Sequence, residues 1–241
     1  RETHPMQISL TSIVIAAGIA YLWVTRGFFS SLLNMVCVIL AGGIAFAVWE
    51  PVAYMILDGA PESGFLEFVG GAAWGIALAG PFALSLALFR AAVDGFVRAN
   101  VKVNEGVDYA GAGICGLVSG SITAGIVVMS IGFLRVGTEF MGYQPVQYSN
   151  ADGLEASKSL LVPFDKWTAK LYGQLSETSF RPDSSNTLAA WYPDLHIVPG
   201  ALRTSFGDGK AMNTMNPDDY SVIRHYAVTG NLQNLLGDTW K

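Results

Sequence analysis

The sequence predicts an all-α membrane protein: four transmembrane helices in two hairpins, then an amphipathic interfacial helix and a loop-rich C-terminal extension. Three observations predict it. Only 14% of the 241 residues are charged, against roughly 25% in soluble domains. The windows 6–25, 28–49, 68–89 and 109–134 contain no Asp, Glu, Lys or Arg, and each is long enough to cross a hydrocarbon core of roughly 30 Å, which takes about 20 residues. The mean hydropathy is +0.40. A net charge of −5 without a basic patch excludes a nucleic-acid-binding module, and the apolar content excludes disorder. The alternative is a buried helical bundle in a large complex, but soluble core helices seldom run this long without charge. The division is a four-helix transmembrane domain at 1–135, a juxtamembrane segment at 136–180 and an extramembrane extension at 181–241.

The first window is read as a span rather than a cleaved signal peptide, because Arg26 and Gly27 follow it directly and a second span begins at once. The connection after the second window carries Glu50, Asp58, Glu62 and Glu67 without Lys or Arg. The first and third connections hold Arg26, Arg90, Arg98 and Lys102. Lys and Arg are retained in the cytoplasm, so these four residues are predicted to mark the cytoplasmic face of a bacterial inner membrane. Both termini and residues 136–241 then lie in the periplasm. Arg90, Asp94 and Arg98 recur every fourth residue and read as a solvated helix end.

Between lipid-embedded helices, close packing relies on small residues. Ala112, Gly116, Gly120 and Ala124 are spaced by four, as are Gly71, Gly75 and Ala79, so each set lies on one helical face. The two stripes are expected to face each other, or one of them to face a partner. Pro81 is expected to kink the third span.

The order of several short motifs resembles the colicin V production protein (CvpA) family of bacterial inner-membrane proteins. They are Thr25-Arg26-Gly27-Phe28 with Leu32-Leu33, then Asp108 followed by Gly111, Gly113, Gly116 and Gly120, then Ser157 to Pro163. The resemblance covers roughly residues 6–180 and leaves 181–241 unmatched. It implies a role in colicin V export or envelope upkeep. Some related proteins add a periplasmic serine protease domain, but no Gly-x-Ser-Gly-Gly stretch occurs here.

Phe164, Trp167, Leu171 and Leu175 are spaced by three and four within a helix expected at 163–177. They predict a face lying in the headgroup layer, with Lys166 and Lys170 turned to anionic lipid; packing on the extension is the alternative. Beyond Arg181, Asn216-Pro217-Asp218-Asp219 predicts a helix start, with the helix running to Ala227. Trp191, Tyr192, Phe206, Tyr220, Tyr226 and Trp240 occur in a stretch too short and aliphatic-poor for its own core. They are expected to dock a partner protein, or to pack on the chain's own membrane domain.

Reactive chemistry is not indicated. Cys37 and Cys115 sit mid-span, no paired Cys or His spacing suggests a metal, and His4, His196 and His225 are far apart. The expected partners are membrane lipids and other protein subunits, a homo-oligomer being one form of such an assembly. No nucleic acid and no cofactor is expected, bound lipid aside. The leading expectation is a non-enzymatic inner-membrane scaffold or accessory subunit of an envelope complex. An oligomeric channel or export component is the alternative, and a lipid-handling protein the third reading. None of the four windows holds an ionisable group, which disfavours a proton-coupled carrier.

Overall fold

A computed structural model describes residues 6–59, 67–96, 104–133, 146–149, 153–156, 160–180, 187–192 and 195. Its elements are α1 (Met6–Val24), α2 (Phe28–Gly59), α3 (Glu67–Phe96), α4 (Glu105–Gly132), β1 (Val146–Ser149), β2 (Gly153–Ala156), α5 (Phe164–Glu177) and α6 (Leu188–Trp191). The first four helices are long and apolar enough to cross a membrane, and the chain is a multi-pass α-helical membrane protein. The predicted helix at 217–227, together with Phe206, Tyr220, Tyr226 and Trp240, lies outside the described residues.

Three spans run past their uncharged windows. The largest difference is in α2, which continues through Glu50 and Pro51 to Gly59. Proline lacks the N–H that would bond the Ala47 carbonyl, yet the helix persists. Glu50 is accommodated because the Tyr192 hydroxyl donates to its carboxylate. A short antiparallel pairing of β1 with β2, Val146 opposite Ala156 and Ser149 opposite Gly153, adds to the loops expected between α4 and α5.

The α1–α2 turn is set by Gly27, whose φ of 86° is a left-handed conformation that side-chain-bearing residues resist. Ser31 Oγ donates back to the Trp23 carbonyl at 2.8 Å, closing the turn. The start of α2 is capped from another helix. Asp108, in the first turn of α4, accepts the Phe28 N–H at 2.9 Å, and the Phe28 ring lies over Gly111. A carboxylate there satisfies an orphan donor and meets the positive end of the α2 dipole. Asp108→Ala is expected to cost about 1–2 kcal/mol, the range for a lost helix cap, with Asp108→Asn retaining most of it; thermal denaturation in detergent checks both.

Packing departs from the simplest reading of two sequential hairpins. α1 lies chiefly on α4 and α2 chiefly on α3, while α4 also lines α2. The small-residue stripe of α4 therefore meets α1, and the expected pairing with the α3 stripe is corrected. A Cβ on Gly116 would come within 3.0 Å of the Ala20 backbone, and one on Gly120 would collide with the Ala16 carbonyl. Ala112 and Ala124 are fully buried in the same groove. On α3, Gly75 is buried and Ala79 half-buried. The α2–α3 contact is alanine-rich instead: Ala41, Ala45, Ala53, Ala73 and Ala77 are all fully buried. α4 is central, with 61% of its window buried against 22–44% for the other three, and its glycines allow neighbours to approach on several sides.

The two ends of the bundle differ. At one end the guanidinium groups of Arg26 and Arg90 lie 5.3 and 4.7 Å from the Trp23 ring, and Arg90 pairs with Asp94 at 2.6 Å. Such Arg–Trp clusters suit the headgroup level. At the other end Trp49 contacts Trp74, Phe133 and Tyr192 with ring centroids 5.3–5.7 Å apart.

Candidate functional site

The predicted amphipathic helix is present as α5, turned so that a different face meets the bundle. Its buried residues are Phe164, Asp165, Thr168, Ala169, Tyr172 and Ser176, a face offset from the one predicted for the headgroup layer. Of the predicted residues, Phe164 is buried and Leu171 and Leu175 are half-buried against the bundle core. Trp167 is 54% exposed. The helix lies on α4 and α2 rather than standing apart from them.

Hydroxyl groups seated over glycines fix this position. The Tyr172 hydroxyl lies 3.2 Å from both the Val38 and Ile39 carbonyls of α2, directly over Gly42. Its ring is 4.9 Å from that of Phe46. Thr168 Oγ1 and the Phe164 carbonyl sit over Gly125 of α4. Before α5, the Leu161 N–H donates to Ser9 Oγ of α1 at 3.2 Å; after it, the Phe180 ring covers Gly43. Any side chain at Gly42 or Gly125 would occupy space that α5 fills.

These contacts set the depth of α5. At 1.5 Å per residue, Gly42 and Gly125 are about 5 Å, and Ser9 about 10 Å, from the middle of the uncharged stretches that hold them, all toward the Glu50 end. A hydrocarbon core extends roughly 15 Å either side of its midplane, so α5 lies across the spans toward one face, within the 5–10 Å depth of an interfacial helix. The segment enters and leaves at the Glu50 end, where Tyr192 meets Glu50 and Trp49. It is the amphipathic interfacial helix that the sequence predicts, seated on the ends of α2 and α4 nearest Glu50.

Lys166, Lys170, Gln174 and Glu177 are all exposed on the side of α5 turned away from the bundle. From this side the lysine stems extend the short distance to the headgroups, where their ammonium groups meet water and anionic lipid.

Tyr192, expected to await a partner, is instead buried on this chain's own helices: it is 4% exposed, 5.4 Å from the Trp49 ring, and donates to Glu50. Leu195 is buried beside it. Attachment to the nearest apolar surface supplies the core this segment lacks. Trp191 ends α6. Among the topology residues, Arg26 and Arg90 share one end of the bundle through Trp23, while Arg98 and Lys102 lie outside the described residues.

The sequence signal for the α5 seat was present in two parts. Thr168, Tyr172 and Ser176 are hydroxyl residues spaced by four, and Gly42-Gly43 and Gly125 lie near the middle of their spans. Neither part identifies the other. Compared with protein-family models, curated proteins and solved structures, the chain matches none.

Proposed function

We propose that this chain is a non-enzymatic, membrane-embedded subunit of a larger assembly. The observation that carries the reading is the outer face of α5, where Trp167 is 54% exposed between Lys166 and Lys170 on a helix fixed to the bundle. An aromatic residue flanked by cationic side chains suits a neighbouring subunit laid on that face. The arginines around Trp23 support a cytoplasmic position for that end, with both termini and α5 on the periplasmic side of a bacterial inner membrane. The resemblance to the colicin V production family agrees with this placement and with a role in export or envelope upkeep.

Purification in mild detergent followed by native mass measurement tests the reading. The expected particle contains at least two protein subunits. A stable single subunit, with the α5 amides still protected from hydrogen exchange, would overturn it.

A further inference from the structure

We propose that Arg26 and Arg90, gathered around Trp23, hold the phosphate of an anionic phospholipid in the leaflet at that end of the bundle. The site lies at the opposite end from α5 and does not depend on what covers that helix.

Both arginines stand at headgroup depth. They are the first charged residues after the uncharged stretches 6–25 and 68–89. Each stretch is long enough to cross the hydrocarbon, so both guanidinium groups reach the level of the lipid phosphates.

The fold brings the two together. Their guanidinium carbons lie 5.3 and 4.7 Å from the centroid of one indole, that of Trp23, so they are no further apart than those two distances laid end to end. Two positive charges this close repel, and an anion beside them relieves the repulsion. Asp94 provides one carboxylate, 2.6 Å from Arg90 Nη2, but its side chain is 62% exposed, and an exposed ion pair within one helix contributes little. Of the acids in the first turn of α4, Asp108 accepts the Phe28 N–H, and Glu105 is exposed.

Arg90 lacks an acceptor. Its side chain is only 15% exposed, and its Nη1 is buried without a hydrogen-bond partner. Folded proteins seldom leave a desolvated donor in that state, because nothing replaces the water it has lost. A phosphate accepts two parallel N–H bonds from one guanidinium. Turning the Arg90 plane away from Asp94 presents both terminal nitrogens to a single phosphate, which exchanges a weak exposed pair for a doubly bonded one.

The surface beside the arginine fits an acyl chain. Ala87 and Ala83 lie one and two turns before Arg90 on its own face of α3, and both are small and exposed. Leu84 and Leu88 stand alongside, 64% and 62% exposed. This shallow apolar channel runs from the arginine toward the hydrocarbon, where a phospholipid fills it and a free phosphate does not.

The test titrates the full chain in mild detergent with phosphatidylglycerol or phosphatidylcholine, followed by native mass measurement. The first phosphatidylglycerol is expected to bind about tenfold more tightly than phosphatidylcholine, whose choline group cancels the phosphate charge. Arg26→Gln is expected to weaken phosphatidylglycerol about fivefold, the effect of one basic residue at an anionic lipid surface, and Arg90→Gln by more. Arg26 is exposed, so its variant keeps the test decisive if Arg90→Gln fails to fold. Asp94→Asn is expected to tighten phosphatidylglycerol binding about twofold or more, because no carboxylate then competes for Arg90. Equal binding of the two lipids overturns the site, as does a preference that survives both arginine variants. Displacement of bound phosphatidylglycerol by millimolar inorganic phosphate overturns the lipid assignment and leaves a free-phosphate site. The subunit count of the same particles is a separate readout and bears only on the assembly reading.

Discussion

Replacing Gly120 with leucine is expected to force α1 away from α4 and to destabilise the whole bundle. A Cβ at this position collides with the Ala16 carbonyl and crowds the Ala16 backbone. The obstruction is main chain, so rotation of a neighbouring side chain cannot relieve it, and the two helices must separate. Overpacking in a well-filled core typically costs 1–3 kcal/mol, and a collision with backbone belongs at or beyond about 3 kcal/mol. Thermal unfolding in detergent is expected to show a large drop in midpoint or no recoverable folded protein. Gly113→Ala is the matched control. Its nearest neighbour would be Val24 Cγ2 at 3.8 Å, an ordinary contact, so its effect is expected within about 0.5 kcal/mol. Equal effects at Gly120 and Gly113 would contradict the α1–α4 packing.

Gly42→Leu is expected to expel α5 while leaving the four spans together. The Tyr172 hydroxyl and ring occupy the position that any side chain at residue 42 would need, and the same tyrosine supplies the bonds to Val38 and Ile39. Displacing it removes a buried aromatic, for which truncation typically costs about 3–5 kcal/mol. Amide exchange across 164–177 is expected to accelerate about a hundredfold or more, the equivalent of roughly 3 kcal/mol of local protection. The amides of α1 and the buried half of α4 should change little. Tyr172→Phe keeps the ring and loses only the hydroxyl, so it is expected to cost about 1 kcal/mol. If Gly42→Leu left α5 exchange unchanged, the seat of Tyr172 on α2 would be wrong.

Both outcomes concern contacts that sequence spacing only partly revealed. The stripe of Ala112, Gly116, Gly120 and Ala124 was legible because four-residue spacing defines a helical face. Its partner was not legible, because smallness shows that something approaches closely without showing what. α1 offers Ala16 and Ala20, which look no more distinctive than the glycines of α3. The predicted interfacial face of α5 illustrates the same limit. Of Phe164, Trp167, Leu171 and Leu175 only Phe164 is fully buried, beside Thr168, Tyr172 and Ser176. In a membrane protein a hydroxyl can bond a carbonyl of a neighbouring helix, so the buried face need not be the most apolar one.

The sequence by itself determined the four spans, because an uncharged stretch of about 20 residues is favoured in lipid whatever lies beside it. It also marked the α1–α2 turn at Arg26-Gly27 and one small-residue face. Only the tertiary structure decided that α1 pairs with α4, that Asp108 caps α2, that Tyr192 returns to Glu50, and that α5 lies across α4 and α2. Transfer into lipid is a property of a segment and can be summed along the chain. Depth and neighbours depend on whether a hydroxyl on one helix finds a glycine on another, a condition that exists only once both helices are in place.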